Sequence, residues 1–188
     1  SITALFPKGF PNSTLVQDGW KPQLNTPPKN HQTCLAHLQR HLIYLNKVYP
    51  DSTWGNSFLT LLYQSLELKP KPKRKDYCIE RTKIIQTLED LLNNPPDKNH
   101  KKLQTFYRRI SRERQQLFIF LFIEKVHPDN NASERAIRNV KVKQKISGQF
   151  KTEQTAQNFA KIRSVIDTTI KNGMNVLKSL TLVAKVEL

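Results

Sequence analysis

Apolar residues recur through most of this chain at the three- and four-residue spacing of amphipathic helices. Leu35, Leu38, Leu42, Leu45 and Val48 form one such stripe, which Tyr49-Pro50 ends. Ser52 or Thr53 is placed to cap a second helix through Phe58, Leu59, Leu62 and Leu66. Two more stripes, over about Asp76 to Asn93 and Lys98 to Ser111, flank Asn93-Asn94-Pro95-Pro96-Asp97 and predict an antiparallel helical hairpin. Toward the end, Ala156, Phe159, Ile162, Val165, Ile166 and Ile170 share a helical face closed by Asn172-Gly173, and Met174 to Leu182 predicts a short last helix.

Three segments leave that rhythm. Thr14-Leu15-Val16-Gln17-Asp18-Gly19-Trp20 is a short β-branched and apolar run ending in an acid and a glycine, as a buried strand delivering a carboxylate would. Before it, Pro7, Gly9 and Pro11 break up any long strand. Leu117 to Ile123 is unbroken apolar sequence that periodicity alone assigns equally to a helix or a buried strand. Glu113, Gln115 and Gln116 tip the choice to a helix over Arg112 to Lys125. Lys145 to Phe150, around Gly148, reads as a turn or short strand. The fold class that results is predominantly α with a small β component.

Charge narrows the partners. Thirty-one Lys and Arg against fifteen Asp and Glu give a net charge of +16, the footprint of a protein that neutralises phosphates. Lys69-Pro70-Lys71-Pro72-Lys73-Arg74-Lys75 concentrates five of those cations around two prolines, which makes it an extended, solvated link. Two cysteines, Cys34 and Cys78, fit a reducing cytosol better than a disulfide framework. The longest apolar run is too short to span a bilayer, so a soluble, cytoplasmic protein with no membrane partner is expected.

The densest chemistry lies in His127-Pro128-Asp129-Asn130-Asn131-Ala132-Ser133-Glu134-Arg135-Ala136-Ile137-Arg138. One carboxylate, Glu134, stands in the first turn of a helix that continues with Arg135, Arg138, Lys141, Lys143 and Lys145. An oxygen ligand for a divalent cation beside phosphate-holding cations is what a nuclease-like site requires. The same residues also fit a capping box, with Asn131 as N-cap and Glu134 reaching back, or an i,i+4 pair of Glu134 with Arg138. Asp129, beside two asparagines and a proline, reads as a cap more than as a ligand. Cys34 and His37 have half the spacing of a zinc site, but no second pair completes it, and a buried helix face is the better reading.

The segment Asp129 to Arg138 resembles the DNN-x-x-ER-x-x-R signature of IS66-type transposases. Asp18-Gly19-Trp20 and Cys34-Leu35-Ala36-His37-Leu38-Gln39-Arg40 resemble two more of that family's blocks, in the same order. Leu35 stands where the family usually has tryptophan, and Gln39 replaces its first arginine. The resemblance implies a partial RNase H-like α/β catalytic fold with a helical insertion: 1–33 as sheet carrying the second acid, 34–126 as the insertion, and 127–188 as C-terminal helices carrying the third. It implies DDE chemistry on DNA, at transposon ends and target, with Asp18 and Glu134 as catalytic and metal-holding residues, Mg²⁺ or Mn²⁺ as cofactor, and a homo-oligomer as a compatible assembly. Arg135, Arg138, Lys141, Lys143 and Lys145 become the expected DNA contacts. In such enzymes the first aspartate lies on an earlier strand, and Ser1 to Gln17 contains no aspartate. The resemblance is therefore to the C-terminal part of a transposase, expected to be inactive alone. The alternative is a non-enzymatic basic helical module for DNA binding or assembly.

Overall fold

The computed structural model describes residues 7–19, 25–68 and 75–186, except the side chains of 147 and 186. The basic link is outside this description save for Lys75, as is Trp20. Among the described residues, two strands and seven α-helices follow in order: β1 Phe10–Gln17, β2 Pro28–Thr33, α1 Leu35–Val48, α2 Thr53–Leu68, α3 Tyr77–Asn93, α4 Lys101–Glu113, α5 Asn131–Ser147, α6 Glu153–Lys171 and α7 Val176–Val186. The predominantly α expectation with a small β component holds. The chain divides into two compact units, Ser1–Asn131 and Ala132–Leu188. No helix among the described residues is long and apolar enough to cross a membrane.

In the first unit β1 and β2 pair in parallel, with Thr14 opposite Asn30 and Gln17 opposite Thr33. The strand begins earlier than its proline content suggests, since Phe10 and Pro11 are already part of it. A register shift between Phe10 and Thr14 absorbs the irregularity. β2 has no apolar alternation at all. It is fixed by polar side chains that point inward, Gln32 and Thr33 being fully buried.

The core is helical. Leu35, Leu38, Leu42 and Leu45 of α1 meet Phe58, Leu61 and Leu62 of α2, Ile84 and Leu88 of α3, and Leu103, Phe106 and Ile110 of α4. Aromatic rings lock the centre: Trp54 stacks on Phe58 at 5.1 Å, and Phe106 presents its edge to Phe58 at 6.0 Å. The polar handles are also satisfied, Trp54 donating to the carbonyl of Leu91 at 2.9 Å and Tyr107 to that of Leu92 at 2.7 Å. Ser52 is the α2 cap, its Oγ accepting from the amide of Gly55 at 3.3 Å.

Two boundaries depart from the periodic reading. No helix runs from Arg112 to Lys125: α4 ends at Glu113 and gives way to single 3₁₀ turns at Arg114–Gln116 and Ile119–Leu121. Leu117, Phe118, Phe120 and Leu121 are all buried, a run of neighbours that the single stripe of an amphipathic helix does not hide. Side chains from elsewhere take up its backbone groups. Gln32 donates to the carbonyl of Leu117 at 2.8 Å and accepts from the amide of Phe120 at 3.0 Å, and Tyr77 donates to the carbonyl of Leu121 at 2.7 Å. The second departure is at Lys145 to Ser147, which are the last turn of α5 and not a turn or strand. The helix stops one residue before Gly148, whose φ of +73° is cheap only for glycine.

In the second unit α6 starts at Thr152, whose hydroxyl accepts from the amide of Thr155 at 3.2 Å. It ends as the Asn172-Gly173 pair predicts. Gly173, at φ +65°, donates to Ile170 and Met174 donates to Thr169, the paired bonds of a left-handed C-cap.

Candidate active site

Asp18 immediately follows β1, at the C-terminal end of a parallel strand pair, the position at which open α/β sheets place their ligands. Its side of the pair is closed by one more ladder bond, from the amide of Cys34 to the carbonyl of Gln17 at 2.7 Å. The chain then turns through Gly19 at φ +95°, a conformation that needs glycine.

A polar network reaches this end from α4. Arg109 donates through Nη2 to the Asp18 carbonyl at 3.3 Å and through Nε to Glu113 at 3.0 Å. Glu113 accepts also from the Thr33 hydroxyl at 3.4 Å, and the buried Gln17 amide reaches Thr33 at 3.5 Å and Gln116 at 3.4 Å. Strand end and helix end are thus tied by charge-assisted bonds, with the Arg109–Glu113 pair 27% and 13% exposed. Arg109 and Glu113 were legible in the sequence only as an i,i+4 pair; nothing there pointed to Asp18.

The segment leading into the signature helix meets the same end of the sheet. Leu35, the first residue of α1 and two beyond β2, donates its amide to the carbonyl of Pro128 at 2.8 Å. Asp129 accepts from the amide of Asn131 at 3.0 Å, an Asx turn that leads into α5 and takes up the first helical amide. Between them the carboxamide oxygen of Asn130 is buried with no donor reaching it among the described residues. Cys34 is also at this corner, fully buried, with its Sγ 3.2 Å from Nδ1 of His37. Both cysteines are free thiols.

Glu134 lies half-buried in the first turn of α5, in the second unit. Arg135, Arg138, Lys141, Lys143 and Lys145 are all exposed. They do not form one face. At about 100° per residue, Arg138, Lys141 and Lys145 fall within an arc of about 60°, Arg135 lies about 60° beyond Arg138, and Lys143 projects to another side.

Asp18 at the strand end and Glu134 in the second unit each offer carboxylate oxygens, the donor type that suits a hard cation. Among the described residues no three His, Cys, Asp or Glu side chains gather as a ready-made metal cluster.

No curated protein and no solved structure matches the chain. The model of the transposase IS66 family matches residues 2–158, most of the chain, including both strands, the whole helical core and the segment from Asp129 to Arg138. By that match the chain belongs to the IS66 transposase family.

Proposed function

We propose that this chain is part of the catalytic domain of a DDE transposase, in which Asp18 and Glu134 are two of the carboxylates that hold a pair of divalent cations. The observation that carries the reading is the family match over residues 2–158, which takes in both Asp18 at the end of β1 and the segment that carries Glu134. On this reading β1 and β2 belong to an RNase H-like sheet, and α1 to α4 with the irregular segment after them are the helical insertion.

Mg²⁺ or Mn²⁺ bound there supplies the Lewis acidity that activates water or a 3′-hydroxyl and stabilises the leaving oxygen of a phosphodiester. The protein's share of the work is positional and electrostatic. Arg109 donates to the Asp18 carbonyl and so helps to hold the backbone that carries this carboxylate. Glu134, in the first helical turn, has its negative charge favoured by the helix N-terminus. Arg138, Lys141 and Lys145 offer one cationic face to DNA phosphates, and Arg135 and Lys143 serve other strands or other parts of a complex.

The test is strand nicking at transposon-end DNA by the intact transposase that contains this chain. Glu134→Gln and Asp18→Asn should each abolish Mg²⁺- and Mn²⁺-dependent nicking while leaving DNA binding in place, because the amides keep shape and lose the charge that holds the cation. Undiminished nicking by Glu134→Gln would assign Glu134 to helix capping alone and favour a non-enzymatic role for this helix.

A further inference from the structure

α4 carries a feature that the catalytic reading does not use. Leu103, Phe106 and Ile110 are its buried face. Lys101, Thr105, Arg108 and Arg112 lie on the opposite side within an arc of about 60°, and all four are exposed. From Lys98 to Arg114 the sequence has seven Lys and Arg against one acid, Glu113. That acid is already taken by Arg109 and Thr33. Lys102 is likewise engaged, donating to the Tyr44 hydroxyl at 3.1 Å. Among the described residues Lys101, Arg108 and Arg112 have no carboxylate partner.

Three cations on one straight face, spread over about 16 Å of helix, repel each other, and no carboxylate among the described residues offsets that repulsion. A partner that supplies anions at a matching interval relieves that repulsion. One strand of duplex DNA presents a phosphate about every 3.4 Å along the axis, so the stripe spans about five of them. Two of the three are arginines, which engage phosphate oxygens through two parallel N–H groups.

We propose that the exposed face of α4, through Lys101, Arg108 and Arg112, is a DNA-backbone contact in its own right, separate from the cationic face of α5. It rests on the family's DNA partner and not on the pairing of Asp18 with Glu134. The contact is sequence-independent, since side chains that meet only phosphates position a duplex without reading it. It gives the helical insertion a task, to hold flanking duplex while the strand-end site meets the reacting phosphodiester.

The experiment is binding of this chain to a 30-base-pair duplex by fluorescence anisotropy, over a series of KCl concentrations. The combined variant Lys101→Gln, Arg108→Gln, Arg112→Gln should lower the slope of log K against log salt by about 2 to 3, at about 0.9 per lost phosphate contact. A control of equal charge loss, Lys29→Gln, Lys83→Gln, Lys125→Gln, should change it by less than one. Arg108→Lys with Arg112→Lys should retain most of the slope, which separates a charge effect from a folding defect. Equal slopes for the α4 variant and the control overturn the proposal, as does the absence of any duplex binding. Arg138→Gln, Lys141→Gln, Lys145→Gln reports on α5 independently, so loss there with no loss from α4 refutes this inference and leaves the proposed function standing.

Discussion

Gln32 is the residue whose replacement separates this fold from its amphipathic expectation. It is fully buried, and Gln32→Met keeps its length and shape while making it more apolar. On hydrophobicity alone the variant should be stabilised by about 1–2 kcal/mol, the scale of burying an apolar side chain. The structure predicts the reverse. The Leu117 carbonyl and the Phe120 amide lose the partners they have at 2.8 and 3.0 Å, in a segment with no helix of its own to supply others. Each orphaned buried group costs about 1–3 kcal/mol, so two of them outweigh the apolar gain. The net is a loss of about 1–4 kcal/mol, or a fall of roughly 5–15 °C in melting temperature for a unit of this size. Urea and thermal melts followed by circular dichroism measure it. Hydrogen exchange at the Phe120 amide should accelerate in parallel as its protecting acceptor disappears. A Gln32→Met protein as stable as the parent, with Phe120 still protected, would refute the claim that this side chain holds the irregular segment in place.

Gly19→Ala should destabilise the first unit by about 1–3 kcal/mol, because φ is +95° and an added Cβ would sit 2.7 Å from Nη2 of Arg109; an unchanged melting curve would mean that the turn after Asp18 adopts another shape. Burial lowers the pKa of His31, and burial followed by the positive charge of Arg109 lowers that of His41. Both are therefore neutral more persistently in the folded state than in the unfolded one. Their contribution to stability is full above the unfolded value of about 6.5 and declines as pH falls toward the folded values. Melting temperature should drop between pH 7 and 5.5, and His41→Gln with His31→Gln should flatten that drop.

The parts of the fold legible in the sequence are those in which local pattern and tertiary burial agree. Leu35 to Val48 is bounded in the structure as its stripe and the following Tyr49-Pro50 predict. Ser52 and Asn172-Gly173 also do what their residue types favour. β2 was not legible, because Pro28 to Thr33 has no apolar alternation and its burial is set by what Gln32 reaches in a segment 85 residues later. The same bond explains the error at Arg112 to Lys125: periodicity sees only the apolar run, whereas the segment's hydrogen bonds come from Gln32 and Tyr77. At the candidate site, Asp18 and Glu134 stood out through family-like blocks. The Arg109–Glu113 support for Asp18 did not, since an i,i+4 pair on a basic helix looks the same whether or not it touches a strand end.

The central claim is that Asp18 and Glu134 hold the same cations, and iron-mediated backbone cleavage tests it most directly. Fe²⁺ substituted for Mg²⁺, with ascorbate and peroxide, releases short-lived radicals that cut the polypeptide beside the metal. The account predicts two clusters of cuts, one around Asp18 and one around Glu134, both suppressed by excess Mg²⁺. Asp18→Asn should abolish both clusters together, because a shared site loses its cation when either carboxylate is neutralised. Cuts near Glu134 that persist in Asp18→Asn, or cuts confined to one of the two segments, would contradict it.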